Sequence, residues 1–160
     1  MDQNQNKLKA SVTLLRILIG WHFLFEGIVK LYNPEWTSFG YLATAQGPFD
    51  WFFTALIGDS TIGLVDTMNI IALMVVGITF TLGIFERLGA IVGMGLLALY
   101  FFAHPPFPGL TQMNVEGSYW LVNKNLIELV ACWVIFQLPT GRYFGLDYLR
   151  KNKLAKIQEQ

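Results

Sequence analysis

The sequence is poor in cysteine and in charge, and each shortage excludes a class of function. Cys132 is its only cysteine, so a disulfide within the chain, a CxxC redox centre and a cysteine-based zinc site are all impossible. Charged residues make up 14% of the chain, against about a quarter in an ordinary soluble domain. Eleven Lys and Arg balance eleven Asp and Glu, so no nucleic-acid partner is expected.

Apolar residues are abundant instead, and they are gathered into long runs. They form 54% of the 160 residues, which excludes a disordered chain. A bilayer core about 30 Å thick needs roughly 20 apolar residues as a helix, and four runs meet or approach that length, at 11–31, 62–84, 88–103 and 119–138. The sequence therefore predicts an all-α, integral membrane four-helix bundle. Residues 1–160 form one domain, with a cytoplasmic basic tail at 139–160.

A cleaved signal peptide is the alternative explanation of the first run. The run is too long for that, it contains Glu26 and Lys30, and no A-x-A site follows it. We therefore expect it to remain as the first membrane helix.

The basic residues outside the runs fall on one predicted side of the membrane. Cytoplasmic loops carry an excess of Lys and Arg, and here such residues precede the first run, follow the fourth, and include Arg87 in the short connection between the second and third. Residues 32–61 and 104–118 contain neither Lys nor Arg. The pattern predicts that both termini are cytoplasmic and that the two long loops face outward.

The first outer loop is rich in aromatic residues. Aromatic rings favour the headgroup level of a bilayer, and the stretch 49–57 is predicted to lie there as a short helix. Membrane anchoring is one explanation of this loop, and a lid over a site below it is the other. The aromatic residues are Trp36, Phe39, Tyr41, Phe49, Trp51, Phe52 and Phe53.

Polar and ionisable side chains inside the runs form a second pattern, because such groups are costly in a membrane and usually face the bundle interior. Glu26 stands four residues before Lys30, the order that favours pairing. At 1.5 Å per residue, all four helices place polar groups at one outer level, which predicts a polar pocket beneath the aromatic loop. The residues at this level are Glu26, Lys30, Asp66, Asn69, His104, Asn123, Lys124, Asn125 and Glu128.

These residues also have simpler structural explanations. The acidic and basic residues of the first and fourth helices are spaced as intrahelical pairs, the lysines are long enough to snorkel to the interface, and His104 is placed to cap a helix end. His22 lies near mid-membrane, where a lone histidine is more often packing than a ligand. A haem held by the two histidines is not expected, because their levels differ, and no metal site is predicted.

Three further features lie deeper or nearer the inner side. Arg16 either snorkels to cytoplasmic phosphates or pairs within the bundle. Gly89 and Gly93, with Gly95, suit close helix packing, inside the chain or between two copies. Cys132 is expected to be deep, in apolar surroundings and unreactive.

The first helix carries a motif that resembles a known family. Residues 16–31 read Arg-Ile-Leu-Ile-Gly-Trp-His-Phe-Leu-Phe-Glu-Gly-Ile-Val-Lys-Leu. This is similar to the opening of the DoxX/DoxD family of four-helix membrane proteins, in which an arginine is followed by Gly-x-x-Phe and Gly-x-x-Lys-Leu. Arg16, Gly20, Gly27 and Lys30 match that motif, and the long first loop and the polar stretch 123–128 resemble the DoxD-type members.

The resemblance implies membrane redox chemistry. DoxD-like proteins form a subunit of a thiosulfate:quinone oxidoreductase, which joins two thiosulfates into tetrathionate and passes the electrons to quinone. The resemblance thus implies quinone as a cofactor and the cytoplasmic membrane of a bacterium or archaeon as the location. The expected partners are the lipid bilayer, a redox partner subunit and further copies of the chain.

The polar residues at the outer level suit such chemistry if some of them bind the anion and others carry protons. Lys30, Lys124 and His104 would attract an anion, with Asn69 and Asn125 as further binding residues. Carboxyl groups in apolar surroundings are suited to carry protons near neutral pH, and here they are Glu26, Asp66 and Glu128. A small anion or proton transporter, or a non-catalytic scaffold for a redox complex, are the alternatives. A transporter predicts polar residues through the inner half, where the sequence supplies few beyond Arg16.

Overall fold

The computed structural model describes residues 3–110 and 120–150, and the elements it contains there are helices. The all-α prediction is confirmed for this part of the chain. Three of these helices, α1, α4 and α5, are long and apolar enough to cross a membrane. The helices are α1 (Gln3–Tyr32), α2 (Phe39–Ala43), α3 (Asp50–Ala55), α4 (Ile62–Leu82), α5 (Glu86–Ala103), α6 (Lys124–Gln137) and α7 (Gly141–Phe144).

α6 is shorter than the three long helices. It packs mainly against α5 and also touches α1. Its 14 residues are fewer than a full crossing needs, so a fourth membrane span and the side on which each terminus lies stay predictions.

The helix ends differ from the predicted runs wherever local chemistry sets the boundary. α1 begins well before residue 11 because hydropathy marks the apolar part of a helix and not its polar first turns. α4 stops at Leu82 because Gly83 has φ 65°, a left-handed conformation that ends many helices, and α5 starts at Glu86 rather than 88. α6 starts later than predicted, because the Asn123 side chain accepts the Leu126 N–H at 3.0 Å and caps the helix there.

Glycines let α1 and α4 approach closely. A Cβ at Gly20 would lie 2.8 Å from Phe80 Cβ, and one at Gly77 would lie 2.6 Å from Leu24 Cα. Gly27 stands equally close to the α4 side chains. Two residues of the first-helix motif therefore hold the α1–α4 contact.

The α5 glycines act inside the bundle. Gly89 abuts Thr79 of α4, and a Cβ at Gly93 would lie 3.3 Å from Cys132 Sγ of α6. Gly95 has open space around its Cβ position. Internal helix packing therefore accounts for Gly89 and Gly93, and Cys132 is fully buried as predicted.

Each long helix has one buried and one exposed apolar face. On α1 the motif residues Arg16, Gly20 and Gly27 are buried, whereas large apolar side chains on the other face are more than half exposed, namely Leu14, Leu18, Trp21 and Phe25. Exposed apolar surface of this extent fits helices that face lipid.

The segment between α1 and α4 folds back over one end of the bundle. The Ser38 N–H donates to Asp66 Oδ1 of α4 at 2.8 Å, and the Gln46 N–H donates to the Ala103 carbonyl of α5 at 2.8 Å. Phe53 of α3 is buried against the same end of α5. α3 lies within the predicted stretch 49–57, whereas the pattern analysis did not predict α2.

Candidate functional site

A cavity of about 860 Å³ lies between the ends of α1, α4, α5 and α6 and the segment that carries α2 and α3. We call it the loop-side cavity. Its size and its mainly apolar wall with a few convergent polar groups are typical of small-molecule sites. The apolar residues include Phe23, Leu42, Phe52, Phe53, Leu73, Leu96 and Leu97, and the polar ones include His22, Glu26, Lys30, Asn69, Tyr100, His104, Asn123, Lys124, Asn125 and Glu128.

His22 connects α1 with α6 in this wall. Its Nδ1 lies 3.1 Å from Glu128 Oε1, and its Nε2 lies 3.0 Å from Lys124 Nζ. An ammonium group can only donate, so in the contact between the two nitrogens Lys124 is the donor and His22 Nε2 the acceptor. The ring thus stands between a cation and an anion.

Glu26 and Lys30 form the second charged group of the cavity. They make the ion pair that their spacing predicts, and Lys30 Nζ lies 5.4 Å from the centre of the Trp36 ring. The corresponding pair on α6 is different, because Lys124 and Glu128 each contact His22 rather than one another.

The wall formed by α4 and α5 carries a chain of hydrogen bonds. Asn69 Nδ2 donates to the Tyr100 hydroxyl at 2.6 Å, and the Tyr41 hydroxyl donates to the Tyr100 carbonyl at 3.2 Å. His104 Nε2 lies 2.9 Å from the Tyr41 carbonyl and therefore donates to it. Burial of the phenol, with Tyr100 beside it, raises the pKa of Tyr41 well above its ordinary value, so Tyr41 remains a neutral donor.

Several buried polar atoms of the cavity residues have no hydrogen-bond partner within the described part of the chain. They are His22 Nδ1, Asn69 Oδ1, Asn123 Nδ2 and Glu128 Oε2. A buried polar group without a partner is costly, and such groups are normally paired with protein or ligand. Both donor and acceptor capacity therefore remain open to a ligand here.

The predicted pocket residues meet in this cavity with one exception. Glu26, Lys30, Asn69, His104, Lys124, Asn125 and Glu128 all line it. Asp66 does not, because its carboxylate accepts both the Ser38 N–H and the Ser38 hydroxyl and so fastens the loop to α4. The catalytic and binding roles of all these residues stay predictions.

The sequence patterns assign no binding role to four polar lining residues. His22 is interpreted as packing, although it shares an α1 face with Glu26. Tyr41 is named only among the aromatics of the outer loop and Asn123 only at the outer polar level and within the polar stretch 123–128, and Tyr100 is given no binding role, since an aromatic at a helix end and an asparagine before a helix are common in any fold. The side-chain cap of α6 is the signal that would have drawn attention to Asn123.

A second polar group lies at the other end of the bundle, where α4 turns into α5. Arg16 is 1% exposed and pairs with Glu86. Its guanidinium also donates to Thr140 Oγ1 at 3.2 Å and to the Phe144 carbonyl at 3.0 Å. We call this the turn-side cluster. Of the two alternatives for Arg16, the structure supports pairing within the bundle, with a partner that pattern analysis did not name.

The bundle and its cavity define a class of protein, a multi-pass helical membrane protein with a small-molecule-sized site beneath a folded loop. The family model described as DoxX matches residues 11–105, from the first half of α1 to the end of α5. The chain belongs to the DoxX family, as its first helix predicted. No curated protein and no solved structure matches it.

Among residues 3–110 and 120–150, no group of three or more His, Cys, Asp or Glu side chains is arranged to hold a metal ion. The loop-side cavity joins aromatic and aliphatic walls to unpartnered polar atoms. Among its lining residues, those that could contact a flat apolar ring are Phe23, Trp36, Phe52 and Tyr100.

Proposed function

We propose that the protein is a quinone-linked membrane oxidoreductase subunit that uses a small anionic sulfur compound such as thiosulfate. One observation carries this proposal. The acid, base and ammonium groups of α1 and α6 open onto an apolar, aromatic cavity of about 860 Å³ instead of being closed off by packing. A flat apolar ring whose oxygens exchange protons suits such a cavity, and the membrane redox roles associated with the DoxX family support it.

The overall reaction balances without a redox group in the protein. Two thiosulfates would form one S–S bond to give tetrathionate and release two electrons, and a quinone, when bound, would supply the acceptor for these two electrons and two protons. The chain supplies no two-electron carrier of its own, because Cys132 is its only cysteine. Its residues therefore bind the reactants, orient them and deliver protons.

Proton delivery falls to the two carboxyl groups of the cavity. Glu128 lies next to His22 Nδ1, and a proton can pass between them because an imidazole can donate and accept. Glu26 lies in the same wall, where Lys30 holds it in position. Asp66 is given no proton role, because Ser38 occupies its carboxylate.

A transport function is less consistent with the described bundle. Between the loop-side cavity and the turn-side cluster lies a layer of buried apolar side chains, which includes Leu73, Val76, Phe80, Cys132 and Ile135. Charged groups cross such a layer only at high cost. The described residues thus offer no continuous polar path from one end of the bundle to the other.

The test is thiosulfate-dependent reduction of a soluble quinone analogue by the purified protein in lipid nanodiscs. We expect Glu128→Gln and Glu26→Gln each to lower the rate about a hundredfold, since general acid–base groups contribute on the order of 10² or more. Glu35→Gln is the matched control, because Glu35 is exposed in the loop and outside the cavity.

Two outcomes would contradict the proposal. Unchanged rates in folded Glu128→Gln and Glu26→Gln protein would exclude the cavity as the site of chemistry. A folded wild-type protein that reduces no quinone, alone or with proteins recovered from its native membrane, would instead favour the scaffold alternative.

A further inference from the structure

Asn123 uses one half of its side-chain amide and leaves the other half open. Its Oδ1 accepts the Leu126 N–H at 3.0 Å as the cap of α6, which fixes the orientation of the amide. Among residues 3–110 and 120–150, its Nδ2 has no hydrogen-bond partner. The residue is 1% exposed and lines the loop-side cavity. A buried amide with two unused N–H donors requires an acceptor.

The same end of α6 is electropositive. The N-terminus of a helix carries a partial positive charge and unpaired N–H groups, which attract anions. Lys124 is the first residue of α6, and its ammonium group contacts the His22 ring nitrogen rather than a carboxylate. Within residues 3–110 and 120–150, Lys124 forms no ion pair.

The other predicted anion-binding groups are already engaged. The Lys30 ammonium is paired with Glu26, and His104 donates its Nε2 proton to the Tyr41 carbonyl. Glu128 lies one turn further along α6, on the opposite ring nitrogen of His22. Positive charge and unused donors therefore coincide at the start of α6.

We propose that Asn123 Nδ2, the Lys124 ammonium group and the first turn of α6 form a binding site for a small, water-soluble oxyanion in the loop-side cavity. The choice of thiosulfate as the oxyanion rests on the proposed function, whereas the site itself follows from the open donors. This site gives the substrate of the proposed reaction a defined position and assigns a binding role to Asn123.

The test separates the donor function of Asn123 from its capping function. Serine and aspartate both cap helices well, so Asn123→Ser removes the amide donor and keeps the cap, while Asn123→Asp also places a negative charge in the site. Binding of sodium thiosulfate and of sodium sulfate is measured by isothermal titration calorimetry on the full chain in maltoside detergent. A parallel titration uses short-chain phosphatidylglycerol.

We expect Asn123→Ser to weaken thiosulfate binding about tenfold and Asn123→Asp to weaken it further, because hydrogen bonds to charged groups are among the strongest that proteins make. Lys124→Gln should act in the same direction. Lys7→Gln is the control, since Lys7 is an exposed residue at the other end of α1.

Three results would overturn the site: no oxyanion binding by the folded wild type, equal binding by folded Asn123→Ser and wild type, or binding of the phospholipid alone. The quinone assay on the same samples distinguishes this inference from the proposed function. Oxyanion binding that depends on Asn123, without quinone reduction, would support the site and contradict the oxidoreductase. Quinone reduction by a protein whose oxyanion binding is unaffected in Asn123→Ser would support the oxidoreductase and contradict the site.

Discussion

The two ends of the bundle contain the same kinds of charged side chain, but these side chains lie in different surroundings. At the turn-side cluster, Arg16 and Glu86 are 1% and 3% exposed and are closed in by backbone. A Cβ at Gly83 would lie 2.6 Å from Arg16 Nη1, so no space remains for a ligand. At the loop-side cavity, the charged groups face a volume of about 860 Å³. Charge inside a membrane bundle therefore marks a binding site only where room accompanies it.

The charged groups at the two ends of the bundle also differ in the parts of the chain that they connect. Arg16 reaches across the bundle to the start of α5 and to the segment around α7, so it fixes three parts of the chain at once. The Glu26–Lys30 pair lies within one helix, and Lys30 additionally approaches the Trp36 ring just beyond that helix. The turn-side cluster is therefore expected to contribute stability, whereas the proposed function assigns the chemistry to the loop-side charges.

The largest expected effect is the loss of one member of the turn-side pair. Glu86→Ala leaves the Arg16 guanidinium buried without its counter-charge, and breaking a buried pair in this way costs about 3 kcal/mol or more. The free energy of unfolding, measured by detergent titration in bicelles, should fall by that amount.

The matched control replaces both partners with apolar residues. Arg16→Met combined with Glu86→Leu removes the uncompensated charge, so much of the lost stability should return. If Glu86→Ala were as stable as the wild type, the turn-side cluster would not be a structural clamp, and the contrast between the two ends would fail.

A smaller effect is expected from a single methyl group beside this clamp. Gly141 packs against the Gly83 carbonyl and the Glu86 carboxylate with no room for a Cβ. Gly141→Ala should therefore cost about 1–3 kcal/mol through overpacking. Gly95→Ala is the control, because that glycine has open space around it and alanine favours a helix by up to about 1 kcal/mol. Equal unfolding free energies for the two variants would contradict the close packing described here.

The sequence pattern predicts those features of the site that depend on one helix alone, namely the depth of a residue and the face on which it lies. The level of Glu26, Asn69 and Glu128 along their helices follows from rise per residue, and these three residues do line one cavity. The buried α1 face with Arg16 and Gly20 follows from helical periodicity in the same way.

Partners on different helices were not predictable in this way. Glu86 is 70 residues from Arg16, and Lys124 is 102 residues from His22, so each contact depends on the rotation of two helices about their axes. Asp66 is a further example. Its depth along α4 predicts a place in the cavity, but its carboxylate instead accepts hydrogen bonds from Ser38 of the loop. Sequence periodicity predicts which face of a helix is buried, but it does not predict which residues of a neighbouring helix pack against that face.

The smallest expected effect concerns the loop-side pair, and it tests the contrast most directly. The Glu26 side chain is 45% exposed and that of Lys30 is 17% exposed, and an i,i+4 pair stabilises a helix by only about 0.5 kcal/mol or less. Glu26→Gln and Lys30→Gln should therefore change the unfolding free energy by no more than that, even as Glu26→Gln lowers quinone reduction. A loss as large as that of Glu86→Ala would show that this pair is a second structural clamp. The fall in activity would then reflect a damaged fold, and the case for Glu26 as a proton carrier would be lost.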